Sequence, residues 1–169
     1  LPSYQPGQFV SVRCYVPELG SYQPRQYSLS DVPNKNHFRI SVKREFARDS
    51  KPAGQISNVL HESLPEGAEL DLSMPFGDFV LDINATTPAV LISGGVGLTP
   101  MMSMLKTIIS QQGQARRVVF IHAARNGRVH AMKNDLIQIV AENPSVSRMV
   151  FYESAAENDV QGVDYDHVG

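Results

Sequence analysis

LISGGVGLTPMMSMLKTII (residues 91–109) decides the fold. An apolar run breaks at glycines 94, 95 and 97, passes Thr99 and Pro100, and resumes at helical spacing. Thr99 is the expected N-cap and Pro100 the first helical position. Met101, Met104, Leu105, Ile108 and Gln112 then share one face before Gly113 ends the helix. The stretch therefore reads as a strand, a glycine turn and a helix. Glycine lets the backbone approach something bulky, and the helix start offers unpaired N–H groups and the positive end of its dipole. Two readings stand at this point: a phosphate site, and a tight turn in which glycine only relieves strain. Pro100 occupies the place of the third glycine in G-x-G-x-x-G. The later HAARNG offers Arg125 where an acidic ribose ligand belongs. The pattern argues against an ordinary Rossmann dehydrogenase while keeping a nucleotide on the turn.

Outward from this stretch the chain divides into two kinds of pattern. Residues 7–82 read as short strands separated by turn residues. In GQFVSVRCYV, Val10, Val12, Cys14 and Val16 alternate with Phe9, Ser11, Arg13 and Tyr15. RQYSLS, HFRISVKRE, AELDLSM and FGDFVLDI continue the series and predict a small antiparallel barrel or sandwich. One helix interrupts it, in AGQISNVLHESLPEG, with Ile56, Val59, Leu60 and Leu64 on one face. After NATTP, AVLIS reads as a strand buried on both faces. RRVVFIHAA precedes a helix over roughly 129–142, and SRMVFYES is a third strand. The expected division is residues 1–84 as a β unit and 85–169 as a parallel α/β unit.

The chain has 169 residues, 42% of them apolar, a net charge of −2 and no block of like charge, which gives no electrostatic reason for nucleic acid or an anionic membrane as partner. No apolar run nears the roughly 20 residues of a membrane span. Lone Cys14 excludes an internal disulfide or a cysteine-ligated cluster and suits the cytoplasm. The five histidines, at 37, 61, 122, 130 and 167, are scattered rather than at ligand spacing, so no metal site is expected.

A second polar constellation lies in the β half. Arg25, with its permanent fork of donors, suits a pyrophosphate, and Tyr27 points to the same face and can lie against a flat ring. Ser28 either points away or reaches a ring edge. Gly54 to Ser57 opens the interrupting helix and offers a second anion site.

RQYS, GQIS and GGVGLTPM in this order resemble the ferredoxin–NADP reductase superfamily. With PGQF, VKRE, PFGDF and HAARNGRVHA they are most similar to the reductase portion of flavohaemoglobins, the bacterial and fungal nitric oxide dioxygenases. The resemblance runs through nearly all of the chain and fades after about Glu153. It implies an antiparallel FAD-binding β-barrel followed by a parallel α/β NAD(P)-binding domain. It also implies hydride transfer from NAD(P)H to FAD, then single-electron transfer to the haem of an N-terminal globin domain for nitric oxide detoxification.

The resemblance assigns Arg25 to the FAD pyrophosphate, Gln26 and Tyr27 to the flavin, and Ser28, as the catalytic contact, to the flavin N5. Phe9 takes the place of a tyrosine against the cofactor, and Val42 and Lys43 lie at the ring edge. Gly54, Gln55, Ile56 and Ser57 would hold the phosphates. Gly95, Val96, Gly97, Leu98, Thr99 and Pro100 would receive the dinucleotide, with Thr99 near the nicotinamide.

The family continues beyond the pattern seen here, so the sequence reads as an excerpt. Its first barrel strand, its globin and its later parallel strands lie elsewhere, and little or no turnover is expected from these residues alone. The resemblance favours NADH, although Arg125 or Arg128 would suit a 2′-phosphate. Two alternatives stay open: a superfamily reductase serving an iron–sulfur protein or oxygenase, and a catalytically inert flavin- or nucleotide-binding module.

Overall fold

A computed structural model describes residues 1–48 and 50–169. Period-two alternation makes β1 (Phe9–Val16) a strand with one apolar face, and Val10, Val12, Cys14 and Val16 are all buried. A 3-10 turn (Pro17–Leu19) closes at Gly20, whose φ of 59° suits glycine, and the chain returns as antiparallel β2 (Ser21–Ser28). β2 is an edge strand, which is why Pro24 fits within it. α1 (Gln55–Glu62) follows and buries Ile56 against Val10, Val12 and Leu29. β3 (Asp71–Leu72) then pairs with the other side of β1, where Arg13 and Asp71 form an ion pair at 2.7 Å.

The small barrel or sandwich expected of this half is built less from ladders than from single bridges. HFRISVKRE forms no strand: Ile40 bridges Leu29, and the Ser30 N–H donates to the Arg39 carbonyl at 2.9 Å. AELDLSM shortens to β3, and FGDFVLDI makes one bridge, from Phe76 to Phe9. Alternation chooses which side chains face inward, but a ladder also needs a backbone partner in register. Here side chains do part of that work: Ser30 Oγ and Ser41 Oγ lie 3.0 Å apart, and the Ser11 N–H donates to Ser73 Oγ at 2.9 Å.

The second half is a parallel sheet in the order β4-β5-β6-β7: β4 (Ala89–Gly94), β5 (Val118–Ala124), β6 (Val146–Tyr152) and the short β7 (His167–Val168), one strand more than expected. α2 (Leu98–Gln112) joins β4 to β5, and α3 (Lys133–Glu142) joins β5 to β6. α3 begins later than its periodicity implies, because Met132 takes a left-handed φ of 53° and the preceding residues form a loop.

The strand order corrects one expectation. Strands added in a single direction through right-handed crossovers put both helices on one face of the sheet. α2 and α3 accordingly share a core with Ala89, Leu91, Phe120 and Val150. AVLIS is therefore covered on one face only: Leu91 is 5% exposed, but Val90 is 57% and Ile92 is 64% exposed.

α2 is buried almost all round, more widely than the single face its spacing implies, with Met101, Met102, Met104, Leu105 and Ile108 all inside. Its outer side meets the β half. The Ser103 hydroxyl donates to the Asp31 carbonyl at 2.7 Å, and Lys106 Nζ lies 3.6 Å from the Asp31 carboxylate. Among the described residues no helix is long and apolar enough to cross a membrane.

The one-sided sheet sets an expected contrast in this chain. Leu91→Ala should cost about 2–5 kcal/mol, whereas Ile92→Thr should stay within about 0.5 kcal/mol. Urea unfolding midpoints at constant slope measure both.

Candidate functional site

Two adjoining clefts open where the carboxyl ends of β4 and β5 face β2 and α1. The smaller, about 420 Å³, brings the two sequence constellations together: Arg25, Gln26, Tyr27 and Ser28 from β2, the start of α1, and the glycine turn. The larger, about 560 Å³, continues past Gly95 and Val96 toward Arg125, Arg128 and Phe151. Ser41, Lys43, Val96 and Thr99 line both, so they form one continuous groove.

In β2, Arg25 and Tyr27 are the cross-strand partners of inward-facing Val12 and Val10, so both belong to one face, as the alternation predicts. Arg25 is exposed, and its guanidinium donates to the Pro24 carbonyl at 2.7 Å, leaving further donors. Tyr27 is half-buried against the core of the β half, and burial is the largest cause of its raised hydroxyl pKa. Ser28 lines the smaller cleft from the opposite face of the strand.

At the start of α1, Gly54 is the N-cap and offers no capping side chain. A Cβ there would lie 2.6 Å from Ser57 Oγ and 2.9 Å from Glu45 Cβ. The Ser57 hydroxyl donates to the Gly54 carbonyl at 3.0 Å and accepts from the Glu45 N–H at 3.2 Å, so it braces the turn. Gly54, Gln55, Ile56 and Ser57 all line the smaller cleft, although the Ile56 side chain is chiefly core. Lys43 pairs with Glu45 at 2.7 Å, and their hydrogen bond holds the Glu45 carboxyl below its ordinary range.

On the opposite wall, Gly95 takes a left-handed φ of 52°, and a Cβ on Gly95 or Gly97 would meet nothing within 4 Å. The glycines thus leave open space at the first turn of α2 rather than avoiding a clash, which fits an extended ligand against the backbone. Thr99 is not the N-cap. Gly97 holds that position, and the Thr99 hydroxyl donates to the Val96 carbonyl at 3.2 Å from within the first turn.

Some residues singled out from sequence lie elsewhere. Leu98 is fully buried in the core and lines neither cleft. Phe9 packs on Phe76 at 4.2 Å between ring centroids and sits where a Cβ on Gly77 would go, so the structure does not bring it to the groove. Val42 lines the larger cleft, its carbonyl 2.9 Å from His61 Nε2.

Known proteins match this arrangement along its length. Residues 91–165 match the family model described as an oxidoreductase NAD-binding domain. A flavohemoprotein of Bordetella pertussis is 52% identical over 169 residues, and one of Rhizobium meliloti is 49% identical over 166. The flavohem-like FAD/NAD-binding domain of nitric oxide dioxygenase from Vibrio cholerae superposes with a TM-score of 0.87 at 31% identity, over 100% of this chain and 67% of that one. The chain belongs to the flavohemoprotein family. It spans 41% and 40% of the two curated relatives' lengths, while the alignment with the Bordetella protein covers 99% of this chain, so the likeness does not fade after Glu153. The cytochrome b5 reductase domain of Ulva prolifera nitrate reductase shares the fold, at a TM-score of 0.80 and 20% identity.

The chain also holds a buried polar cluster around His122 and His130, two of the five histidines that are scattered in the sequence. Ser93 Oγ lies 2.9 Å from His122 Nδ1, and His130 Nδ1 lies 3.0 Å from the Tyr152 hydroxyl. The two imidazole centroids are 4.6 Å apart. The signal was present in β5, where His122 falls in the inward register of Val118, Phe120 and Ala124. Burial pushes both histidines down from 6.5 to about 4, with their mutual repulsion adding to the shift at His130.

The unfolded chain takes up these protons near pH 6.5, and the folded chain only near pH 4. Stability from this source is therefore full above pH 6.5 and declines as the pH falls toward 4, by about 2 kcal/mol per histidine at pH 5. Urea unfolding at pH 7, 6 and 5 should show that decline, and a chain carrying both His122→Phe and His130→Phe should show less of it.

Proposed function

We propose that this chain is the reductase module of a flavohaemoglobin, with residues 1–84 holding FAD and residues 85–169 holding a nicotinamide dinucleotide. In the whole protein its electrons would pass to the haem of an N-terminal globin domain and support nitric oxide dioxygenation, and the cytoplasm is the proposed compartment. The observation that carries this reading is the groove in which the β2 residues, the α1 start and the glycine turn meet. Relatives near 50% identity are named flavohemoproteins, and this favours a globin over an iron–sulfur protein as acceptor.

The residues present fit the two cofactors. The open backbone at Gly95 and Gly97 and the uncapped start of α1 supply N–H donors on both sides of the groove, and Arg25 adds a permanent cation between them. Bound there, the dinucleotide supplies a hydride and the flavin converts a two-electron donor into single-electron steps.

The protein's own contribution is binding and orientation. Arg25, with the N–H groups of residues 54–57, holds the flavin pyrophosphate, while Gln26 and Tyr27 set the plane of the ring. Ser28, which lines the smaller cleft, would offer its hydroxyl toward the flavin N5. Val42 and Lys43 would border the ring edge, and Gly95, Val96, Gly97, Thr99 and Pro100 would hold the dinucleotide, with Thr99 toward the nicotinamide. Phe9, the cross-strand partner of Ser28, would stand as the aromatic residue beside the cofactor, its ring packed on Phe76. Thr99, buried and tied to Val96, steadies the turn as well as lining the groove.

Anaerobic addition of NADH to the full-length protein should bleach the flavin band and then reduce the haem. Flavin that stays oxidised would mark the chain as an inert binding module. Arg25→Ala should weaken FAD retention by roughly ten- to hundredfold, read as the ratio of flavin to protein absorbance after gel filtration.

A further inference from the structure

The ends of β4, β5 and β6 meet beneath the groove. Ser93 is the cross-strand partner of His122, and His122 of Val150. From Ser93 a continuous line runs through His122, across 4.6 Å to the His130 ring, and on to the Tyr152 hydroxyl, whose ring stacks on Tyr165 at 5.0 Å. Two members of this line adjoin walls of the larger cleft. Ser93 immediately precedes the glycine turn, and His130 closes the loop that presents Arg125 and Arg128.

Stability alone does not account for the cluster. His122 is 0% and His130 5% exposed, and among the described residues neither Nε2 has a hydrogen-bond partner. A buried polar group left unpaired costs stability that apolar side chains of similar volume would keep. The cluster instead ties two loops through aimed contacts, where apolar packing would leave their spacing free to adjust.

We infer that His122 and His130 are positioning residues for the dinucleotide, a buried polar joint that fixes the glycine turn and the arginine-bearing loop at one separation. The inference rests on the dinucleotide reading of the groove given above. Neither histidine lines the clefts, so the effect passes through Ser93 and the loop rather than through contact with the ligand.

The test uses the full-length protein with FAD bound, NAD⁺ as the probe in titration calorimetry, and amide hydrogen exchange across residues 94–99. His122→Phe should raise the NAD⁺ dissociation constant at least fivefold and speed exchange in that segment at least fivefold, with exchange in α1 unchanged. His122→Asn, whose side-chain amide can replace Nδ1 toward Ser93, should stay within twofold of the parent in both. Ser93→Ala removes only a hydroxyl and should shift both readouts in the direction of His122→Phe, which keeps the test open if the phenylalanine variant does not fold. Variants that fold with both readouts within twofold of the parent overturn the inference, as does His122→Asn behaving like His122→Phe. A parent that fails to bind NAD⁺ overturns the reading of the groove and the joint with it, whereas a binding parent with unaffected variants overturns the joint alone.

Discussion

Burial of α2 between two partners is the constraint on which the molecule depends. One side of the helix packs on the parallel sheet through Leu105 and Ile108, and the other reaches the β half through Ser103 and Lys106 at Asp31. The Asp31 carbonyl accepts a second hydrogen bond, from the Tyr4 hydroxyl at 3.0 Å, so one backbone oxygen ties together the amino-terminal segment, the loop after β2 and α2. With the helix clamped on both sides, its first turn stands opposite β2 and α1. The groove follows from that placement: two helix starts, each with glycine at its N-cap, face each other across a gap with Arg25 and Tyr27 at its side.

The parallel sheet adds a second constraint. Its strands are laid down in one direction, so both crossover helices fall on one face, and the other face keeps Val90, Ile92 and Met149 exposed. The carboxyl ends of the strands remain free of helix, and the glycine turn and the arginine-bearing loop occupy that edge. Beneath them Ser93, His122, His130 and Tyr152 form a polar layer where a core of this kind would ordinarily be apolar. Farther along, the Asp159 carboxylate accepts from the Gly127 N–H at 2.9 Å and the Ala156 N–H at 2.7 Å. The carboxyl-terminal segment therefore braces the same loop from outside.

Much of the site was legible in the sequence, for local reasons. RQYS, GQIS and GGVGLTP each state a backbone conformation or a donor set within a few residues, and all three reach the smaller cleft. The alternation of Val10, Val12, Cys14 and Val16 reports a buried face directly, because period two belongs to the strand itself. Contacts from far along the chain are less legible. The Phe9 ring packs on Phe76 and lies where a Cβ on Gly77 would go. Thr99 carries a good capping hydroxyl, but the 3-10 turn at Gly95–Gly97 places Gly97 at the cap and turns the hydroxyl toward Val96.

The sequence by itself determined the two-part class, the strand–turn–helix at residues 91–109 and the residue types offered to a ligand, because turns, caps and short periodicities are set by neighbours along the chain. Only the tertiary structure decided which of those residues share a groove, that AVLIS is covered on one side, that HFRISVKRE forms no ladder, and that two histidines lie paired under the glycine turn. Each of these depends on partners tens of residues away, whose approach is governed by crossover handedness and by competition for the same buried space.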